Sequence, residues 1–160
     1  MKVSKSLFLI CLFLFFTGTA EAWTRTSSTM DSTFYETRAG EVGIAIGCYP
    51  GATRVGFIIR SADPFLVGPT QARSLNFDLY RSNGGVRRYN VSAEYFFGKD
   101  ESWVNGDLPF IGNFEPFASA NTMTVFDNTS GSSMPFLTVG MRGSAAAIAA
   151  ILETCPAARR

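Results

Sequence analysis

The C-terminal segment constrains the fold most, because its pattern predicts a strand, a glycine turn and a helix that ends on a cysteine. Residues 136–141 form an apolar stretch typical of a final strand, and Ser144 is the predicted N-cap of the helix. Four side chains then share one stripe of that helix at i, i+3, i+4 and i+7: Ile148, Ile151, Leu152 and Cys155. Pro156 ends the helix. A helix with one apolar face must bury it, so the upstream chain is expected to supply a sheet.

The N-terminal segment has the features of an export signal. Lys2 and Lys5 precede an apolar run over residues 7–16, and residues 17–22 are small enough for signal peptidase cleavage after Ala22. The apolar run is shorter than the roughly 20 residues that span a membrane. The sequence therefore predicts a signal peptide over residues 1–22, with an uncleaved N-terminal anchor as the alternative. Residues 23–160 are then expected to form a single β-rich domain without a transmembrane segment, located in the periplasm or secreted.

Charge and cysteine content limit the partners and the covalent structure of the exported chain. The sequence holds 14 basic and 13 acidic residues, and the signal peptide removes Lys2, Lys5 and Glu21, which leaves equal numbers of each sign. A balanced charge argues against nucleic acid and anionic lipid as partners. Cys11 also leaves, so Cys48 and Cys155 are predicted to form a disulfide in an oxidising compartment, with two separate thiols as the alternative.

Alternating side chains predict strands through most of the chain. Residues 42–48 place apolar side chains on one face and Gly43, Ala45 and Gly47 on the other, where small residues permit close approach by another layer or by a ligand. Proline and glycine at 50–51 predict a turn into a strand over residues 55–60. Asn83-Gly84 predicts a type I′ hairpin, in which both central residues have positive φ. Further strands are expected over residues 74–81, 86–97 and 122–126. Residues 23–38 alternate poorly, but their threonines and Phe34-Tyr35 predict one or two edge strands.

The order of these segments favours an antiparallel sheet. Strands and helices do not alternate as they would in a parallel sheet, so the predicted fold is mainly β. We expect an antiparallel β-sandwich or a half-open barrel with a C-terminal α-helix and a short internal helix. That internal helix is predicted over residues 108–114, capped by Asp107 and ended by Pro116, and residues 98–107 before it are predicted to be a polar loop.

A wider pattern resembles small exported bacterial proteins. It consists of a strand ending in Cys48, a hairpin return over residues 55–60, a helix near 108–111, strands at 122–126 and 136–141, Gly140, and an alanine-rich helix ending in Cys155. This pattern resembles the type VI secretion-associated VasI-like proteins and the invasion-associated locus B family, although the region before Val42 matches neither. The resemblance implies a periplasmic β-sandwich with a Cys48–Cys155 bridge and an accessory or envelope-interaction role. It implies no catalytic residues.

The absence of histidine narrows the possible chemistry. Ser-His-Asp and Cys-His catalysis are excluded, and with both cysteines expected in a disulfide no metal site and no cofactor are predicted. Three acids of the 98–107 segment remain clustered: Asp100, Glu101 and Asp107. Their spacing lacks the alternation of a calcium loop. A glycosidase would need two carboxylates about 5–10 Å apart in a concave pocket.

Recognition is predicted to centre on Trp103 with Asp100 and Glu101, because an aromatic side chain among polar residues suits a contact surface. Arg88 and Tyr89 lie on opposite faces of one predicted strand. Basic and aromatic side chains therefore do not share a surface there, which argues against nucleic-acid binding. The predicted function is that of an exported accessory or interaction protein that binds a protein or envelope component without catalysis. The alternatives are a small exported hydrolase that uses a carboxylate pair, and an inhibitor that inserts the loop at 98–106 into an extracellular enzyme.

Overall fold

The computed structural model describes residues 22–26, 32–62, 66, 71–98, 101–108, 113–129, 131 and 134–159. Residues 1–21 of the predicted signal peptide lie outside this set, so cleavage after Ala22 stays a prediction. Within the described residues the chain forms nine strands: β1 (Thr24–Thr26), β2 (Thr33–Ala39), β3 (Val42–Cys48), β4 (Gly56–Ser61), β5 (Gln71–Tyr80), β6 (Val86–Phe97), β7 (Ser102–Asp107), β8 (Thr122–Asp127) and β9 (Pro135–Gly140). The helices are α1 (Glu115–Ala118), α2 (Ser144–Thr154) and a final 3₁₀ turn (Pro156–Arg159).

The strands form one antiparallel sheet in the order β1-β2-β3-β4-β7-β6-β5-β8-β9. The sheet curls until β9 approaches β2, and α2 packs against β2 and β3. This arrangement confirms the mainly β class with a C-terminal helix, and the form is a half-barrel. None of the helices among the described residues is long and apolar enough to cross a membrane.

Two predicted turns form where expected, with one difference in geometry. Gly51 and Gly84 both adopt positive φ, which their missing Cβ allows. Asn83 does not share the positive φ of a type I′ turn. The β5–β6 loop is instead closed by the Arg81 N–H donating to the Gly85 carbonyl at 2.9 Å, and the Gly85 N–H donates to the Asn83 side-chain oxygen at 3.0 Å.

The core lies on the inner face of the curled sheet, where alternate residues of the strands meet the helices. Its largest fully buried side chains include Tyr95, Phe57, Phe77 and Phe117, and the rings of Phe57 and Phe77 meet edge to face at 5.1 Å. The predicted helix stripe is largely confirmed, since Ile148, Ile151 and Cys155 are buried and Leu152 packs against the core from its edge.

The two helix starts differ from the predictions. Pro116 lies in the first turn of α1 and does not end a preceding helix, because proline lacks the N–H that first-turn residues leave unbonded. Leu108 is buried but not helical, and residues 109–112 of the predicted helix lie outside the described residues. The N-cap of α2 is Gly143 at φ +85°, not Ser144, because the chain enters this helix through a left-handed residue. Ser144 donates its hydroxyl to the Phe117 carbonyl at 3.3 Å.

The predicted disulfide between Cys48 and Cys155 is confirmed, with a Cα–Cα distance of 6.4 Å. It joins the last residue of β3 to the residue after α2. The bond therefore holds the helix against the strands that it covers. A buried disulfide is also compatible with an extracellular location.

One buried ion pair was not predicted. Arg73 of β5 and Asp127 of β8 face the interior, with Nη1 and Oδ2 3.0 Å apart and side chains only 2% and 6% exposed. The Arg73 guanidinium lies 5.1 Å from the centre of the Tyr95 ring, and the Thr129 N–H donates to Asp127 Oδ1 at 2.9 Å. Each of these two buried charges thus lies next to a charge of opposite sign inside the half-barrel.

Candidate binding groove

An open groove of about 860 Å³ crosses the outer face of the sheet. It runs from Phe34 of β2 over β3, β4, β7 and β6 to Ala72 of β5. Its volume is in the range of ligand-binding clefts. We define the binding groove by its floor and its walls: Phe34, Gly47, Tyr49, Arg54, Gly56, Ile58, Ala72, Ser92, Glu94, Asn105 and Asp107.

Two glycines produce the floor of the groove. Gly47 of β3 and Gly56 of β4 are register partners, so neighbouring strands lack side chains at the same level. A Cβ on Gly47 would overlap the Thr33 carbonyl and the Phe34 ring, so β2, the neighbouring strand of the same sheet, covers this position. The predicted approach by another layer or by a ligand stays a prediction. A Cβ on Gly56 would meet nothing closer than 3.6 Å. The floor is therefore covered on the β2 side and open over β4.

The wall at the β2 end is apolar. The rings of Phe34 and Tyr49 meet edge to face at 5.5 Å, and Tyr49 remains 57% exposed. Tyr49 directly follows Cys48, so the disulfide restrains the backbone beside it. Ile58 adds an exposed aliphatic side chain next to the glycine floor. This end offers contact area with little side-chain entropy to lose, because aromatic rings have few rotatable bonds.

The opposite wall is polar. Arg54 Nη1 and Asp107 Oδ2 form an ion pair at 2.9 Å, with both side chains more than half exposed. Glu94 is exposed and stands opposite Asn105 in the β6–β7 register. No ion pair to Glu94 occurs among the residues that the structure describes. The Glu94 carboxylate is therefore the unmatched charge of this wall.

Glu94 and Asp107 form the acid pair that the groove brings together. Asp107 lies two residues beyond Asn105, the register partner of Glu94, and diagonal neighbours on one face are about 7–8 Å apart. Sequence reasoning did not consider Glu94 as a partner of Asp107, because the two acids come from different strands. The alternation of residues 86–97 does place Glu94 on the solvent-facing side of its strand together with Arg88, but it carries no information on the pairing of β6 with β7.

The predicted polar loop at 98–107 is wrong for most of its length. Gly98 donates its N–H to the Glu101 carbonyl at 2.9 Å, so the chain reverses at once and Ser102–Asp107 pairs as β7. The long loop that the inhibitor alternative needs is therefore absent from the described part, residues 101–106. The acids of the segment separate as well, since Glu101 lies in the turn and Asp107 at the far end of β7, about 20 Å along an extended strand. Asp100 lies outside the described residues.

Trp103 is on the outer face of β7 and is half-buried. Its ring stacks on Phe96 at 5.5 Å with an interplanar angle of 23°, and its register partner in β4 is Arg60. Trp103 does not line the groove, but it neighbours Asn105 along β7 on the same face. Its predicted role in recognition, like that of Glu101 in the β6–β7 turn, stays a prediction.

Two other parts of the outer face hold internal polar contacts. Arg88 donates two hydrogen bonds to Asp78 at 2.7 and 2.6 Å, and these bonds raise the pKa of the Arg88 guanidinium above its ordinary value. Glu36 lies between Arg60 at 2.7 Å and Arg38 at 3.6 Å. These carboxylates already have cationic partners, which distinguishes them from Glu94.

Comparisons with protein-family models, curated proteins and solved structures found no match for this chain. The resemblance to the VasI-like and invasion-associated locus B families therefore stays a prediction. Among the described residues, no group of three or more acids and cysteines is arranged to hold a metal ion. The groove geometry carries the functional argument alone.

Proposed function

We propose that the protein is an exported binding module, periplasmic or secreted, that holds a segment of a protein or envelope component in the outer-face groove without catalysing a reaction. The observation that carries this proposal is the groove itself, with its glycine floor between an aromatic wall and a polar wall. A concave surface that combines apolar area with a few polar groups is the usual form of a ligand site.

The openness of the groove supports binding more than catalysis. Tyr49, Glu94 and the Arg54–Asp107 pair are all exposed to solvent. Enzymes gain electrostatic strength by excluding water from the reacting groups, and an open trough does not provide that. Binding sites for extended segments tolerate exposure because many weak contacts along the ligand add together.

A hydrolase remains the second candidate because of one specific observation. Glu94 and Asp107 line the same groove as diagonal neighbours of paired strands, whose backbone spacing is about 7–8 Å, and paired carboxylates in glycosidases are about 5–10 Å apart. Against this role, Asp107 Oδ2 lies 2.9 Å from Arg54 Nη1, so this carboxylate is already paired with a cation. Loss of a measured hydrolytic activity in both Glu94→Gln and Asp107→Asn would favour the hydrolase over the binding module.

The proposal is tested by filling the groove. Gly56→Leu adds a side chain where a Cβ has space, so the fold is expected to tolerate it. Ala149→Leu adds the same side chain at an exposed position of α2 and serves as the matched control. In crosslinking and capture from the envelope of exporting cells, we expect specific partners with wild type and Ala149→Leu, and their loss with Gly56→Leu. Equal recovery by Gly56→Leu would refute the groove as the site.

Trp103→Ala belongs in the same experiment, because it removes a ring beside the groove without filling it. A lower recovery than wild type would support Trp103 as a contact residue. Recovery equal to wild type would remove it from the binding surface and would leave the groove proposal intact.

A further inference from the structure

The charges along the groove indicate which ligand it accepts, if the proposed binding function holds. Among the described residues, three ionic side chains line it, and Arg54 is already paired with Asp107. Glu94 keeps one negative charge without a basic partner among the described residues. A ligand that brings a single cation to Glu94 therefore completes the charge balance of the groove.

The surroundings of Glu94 leave that cation room to approach. Along β6 the next outward-facing residue in one direction is Ser92, and across the sheet Glu94 lies opposite Ala72 of β5. Both neighbours have short side chains and line the groove. The carboxylate is exposed, so a cation can reach it without displacing part of the fold.

The length of the groove indicates an extended ligand. It crosses from β2 to β5 through β3, β4, β7 and β6, which is five inter-strand spacings of about 4.8 Å, or about 24 Å in total. An extended peptide advances about 3.3 Å per residue, so roughly seven residues span this distance. The ligand would lie across the strands and contact outward-facing side chains, leaving the strand hydrogen bonds intact.

We propose that the groove selects an extended peptide segment that carries a lysine or arginine, with its cation bound by Glu94. The long aliphatic part of such a side chain covers apolar surface while its charged end remains in water. Ile58 and the open floor at Gly56 supply that apolar surface, and Tyr49 and Phe34 supply the rest of the contact area at the other end.

The test uses three heptapeptides of the form acetyl-Ala-Gly-Ala-X-Ala-Gly-Ala-amide, in which X is lysine, norleucine or glutamate. Norleucine keeps the aliphatic chain of lysine and removes its charge. Dissociation constants are measured by titration of isotope-labelled protein followed by NMR at low salt. An exposed ion pair contributes modestly, so we expect the lysine peptide to bind about two- to five-fold tighter than norleucine, and the glutamate peptide to bind weakest.

Two charge variants test whether Glu94 causes the preference for the lysine peptide over the norleucine peptide. Glu94→Gln keeps the side-chain shape and is expected to bind the lysine and norleucine peptides equally. Glu153→Gln removes an exposed charge from α2 and is expected to keep the wild-type preference. The preference should also shrink as salt is raised, because exposed charges are screened.

The outcomes separate this inference from the proposed function. Equal binding of lysine and norleucine peptides by wild type, or a lysine preference that survives Glu94→Gln, would overturn the charge selection. If in that case the peptides bind wild type but not Gly56→Leu, the groove remains a binding site, with a specificity that does not depend on the lysine charge. Peptide binding that is unchanged in Gly56→Leu would refute both. If no peptide produces shifts at millimolar concentration, the peptide assignment fails, and the capture experiment decides the groove separately.

Discussion

Replacement of Asp127 by alanine is expected to destabilise the protein strongly. The substitution leaves the Arg73 guanidinium in the half-barrel with a side chain only 2% exposed and without the carboxylate that lies 3.0 Å away. Removing one partner of a buried ion pair costs about 3–5 kcal/mol, because the remaining charge loses its counter-ion and stays shielded from water. The Thr129 N–H also loses its acceptor at 2.9 Å, a loss included within that range.

Urea unfolding followed by circular dichroism measures this loss. With a denaturant slope of about 2 kcal/mol per molar, a loss of 3–5 kcal/mol lowers the midpoint by about 1.5–2.5 M. Glu115→Ala is the matched control, since it breaks the Arg81–Glu115 pair, in which the Glu115 side chain is 64% exposed. Exposed pairs contribute about 1 kcal/mol or less, so the control midpoint should fall by no more than about 0.5 M.

A double variant tests the cause. Arg73→Met combined with Asp127→Leu replaces the pair with apolar side chains and is expected to recover most of the lost stability, because no charge is then left buried. The reasoning is refuted if Asp127→Ala costs no more than Glu115→Ala. It is also refuted if the double variant is less stable than Asp127→Ala, since the loss would then come from packing and not from the stranded charge.

Three further predictions concern the disulfide, the glycine floor and the N-terminal tryptophan. Replacing Cys48 and Cys155 by alanine should lower the free energy of unfolding by up to about 4.7 kcal/mol, because the bond closes a loop of more than 100 residues. Equilibrium unfolding measures this loss. Alkylation of two thiols in the unreduced protein would contradict the bond. Gly47→Ala should lower the free energy of unfolding by about 1–3 kcal/mol, because the added Cβ overlaps β2. Gly56→Ala should lower it less, because its Cβ has space. Equal losses in the two variants would contradict the geometry. Trp23→Ala should cost about 3–5 kcal/mol in thermal unfolding, since the indole is 6% exposed, and a loss below 1 kcal/mol would place it outside the core.

Most strands could be predicted because their side chains alternate. Residues 86–97 match β6 and residues 42–48 match β3. The 23–38 segment alternates poorly, and its β-favouring residues predicted one or two edge strands; it contains β1, which lies at the sheet edge, and most of β2, which does not. The alternation reports which residues are buried, and burial on one face is the main requirement of a curled antiparallel sheet. Local signals were less reliable at helix starts. Ser144 was the predicted N-cap but is the first residue of α2, and Pro116 was predicted to end a helix but lies in the first turn of α1.

The segment at 98–107 shows why the site could not be predicted in the same way. Its composition is polar, with Asp100, Glu101, Asn105 and Asp107, and polar composition is typical of a loop. Strand β7 forms there because β4 and β6 offer unpaired backbone groups on both sides, and its Val104 is fully buried. The pairing of β4 with β7, rather than with β5, is a tertiary arrangement without a local signature.

The sequence alone determined the mainly antiparallel β fold, the C-terminal helix and the Cys48–Cys155 bond, because each depends on periodicity, residue count or local turn chemistry. Only the tertiary structure decided the groove. Gly47, Gly56, Glu94 and Asp107 belong to four different strands, and they share one surface because the sheet places β3, β4, β7 and β6 side by side. The strand order depends on burial summed over the whole sheet, so no short stretch of the sequence encodes it.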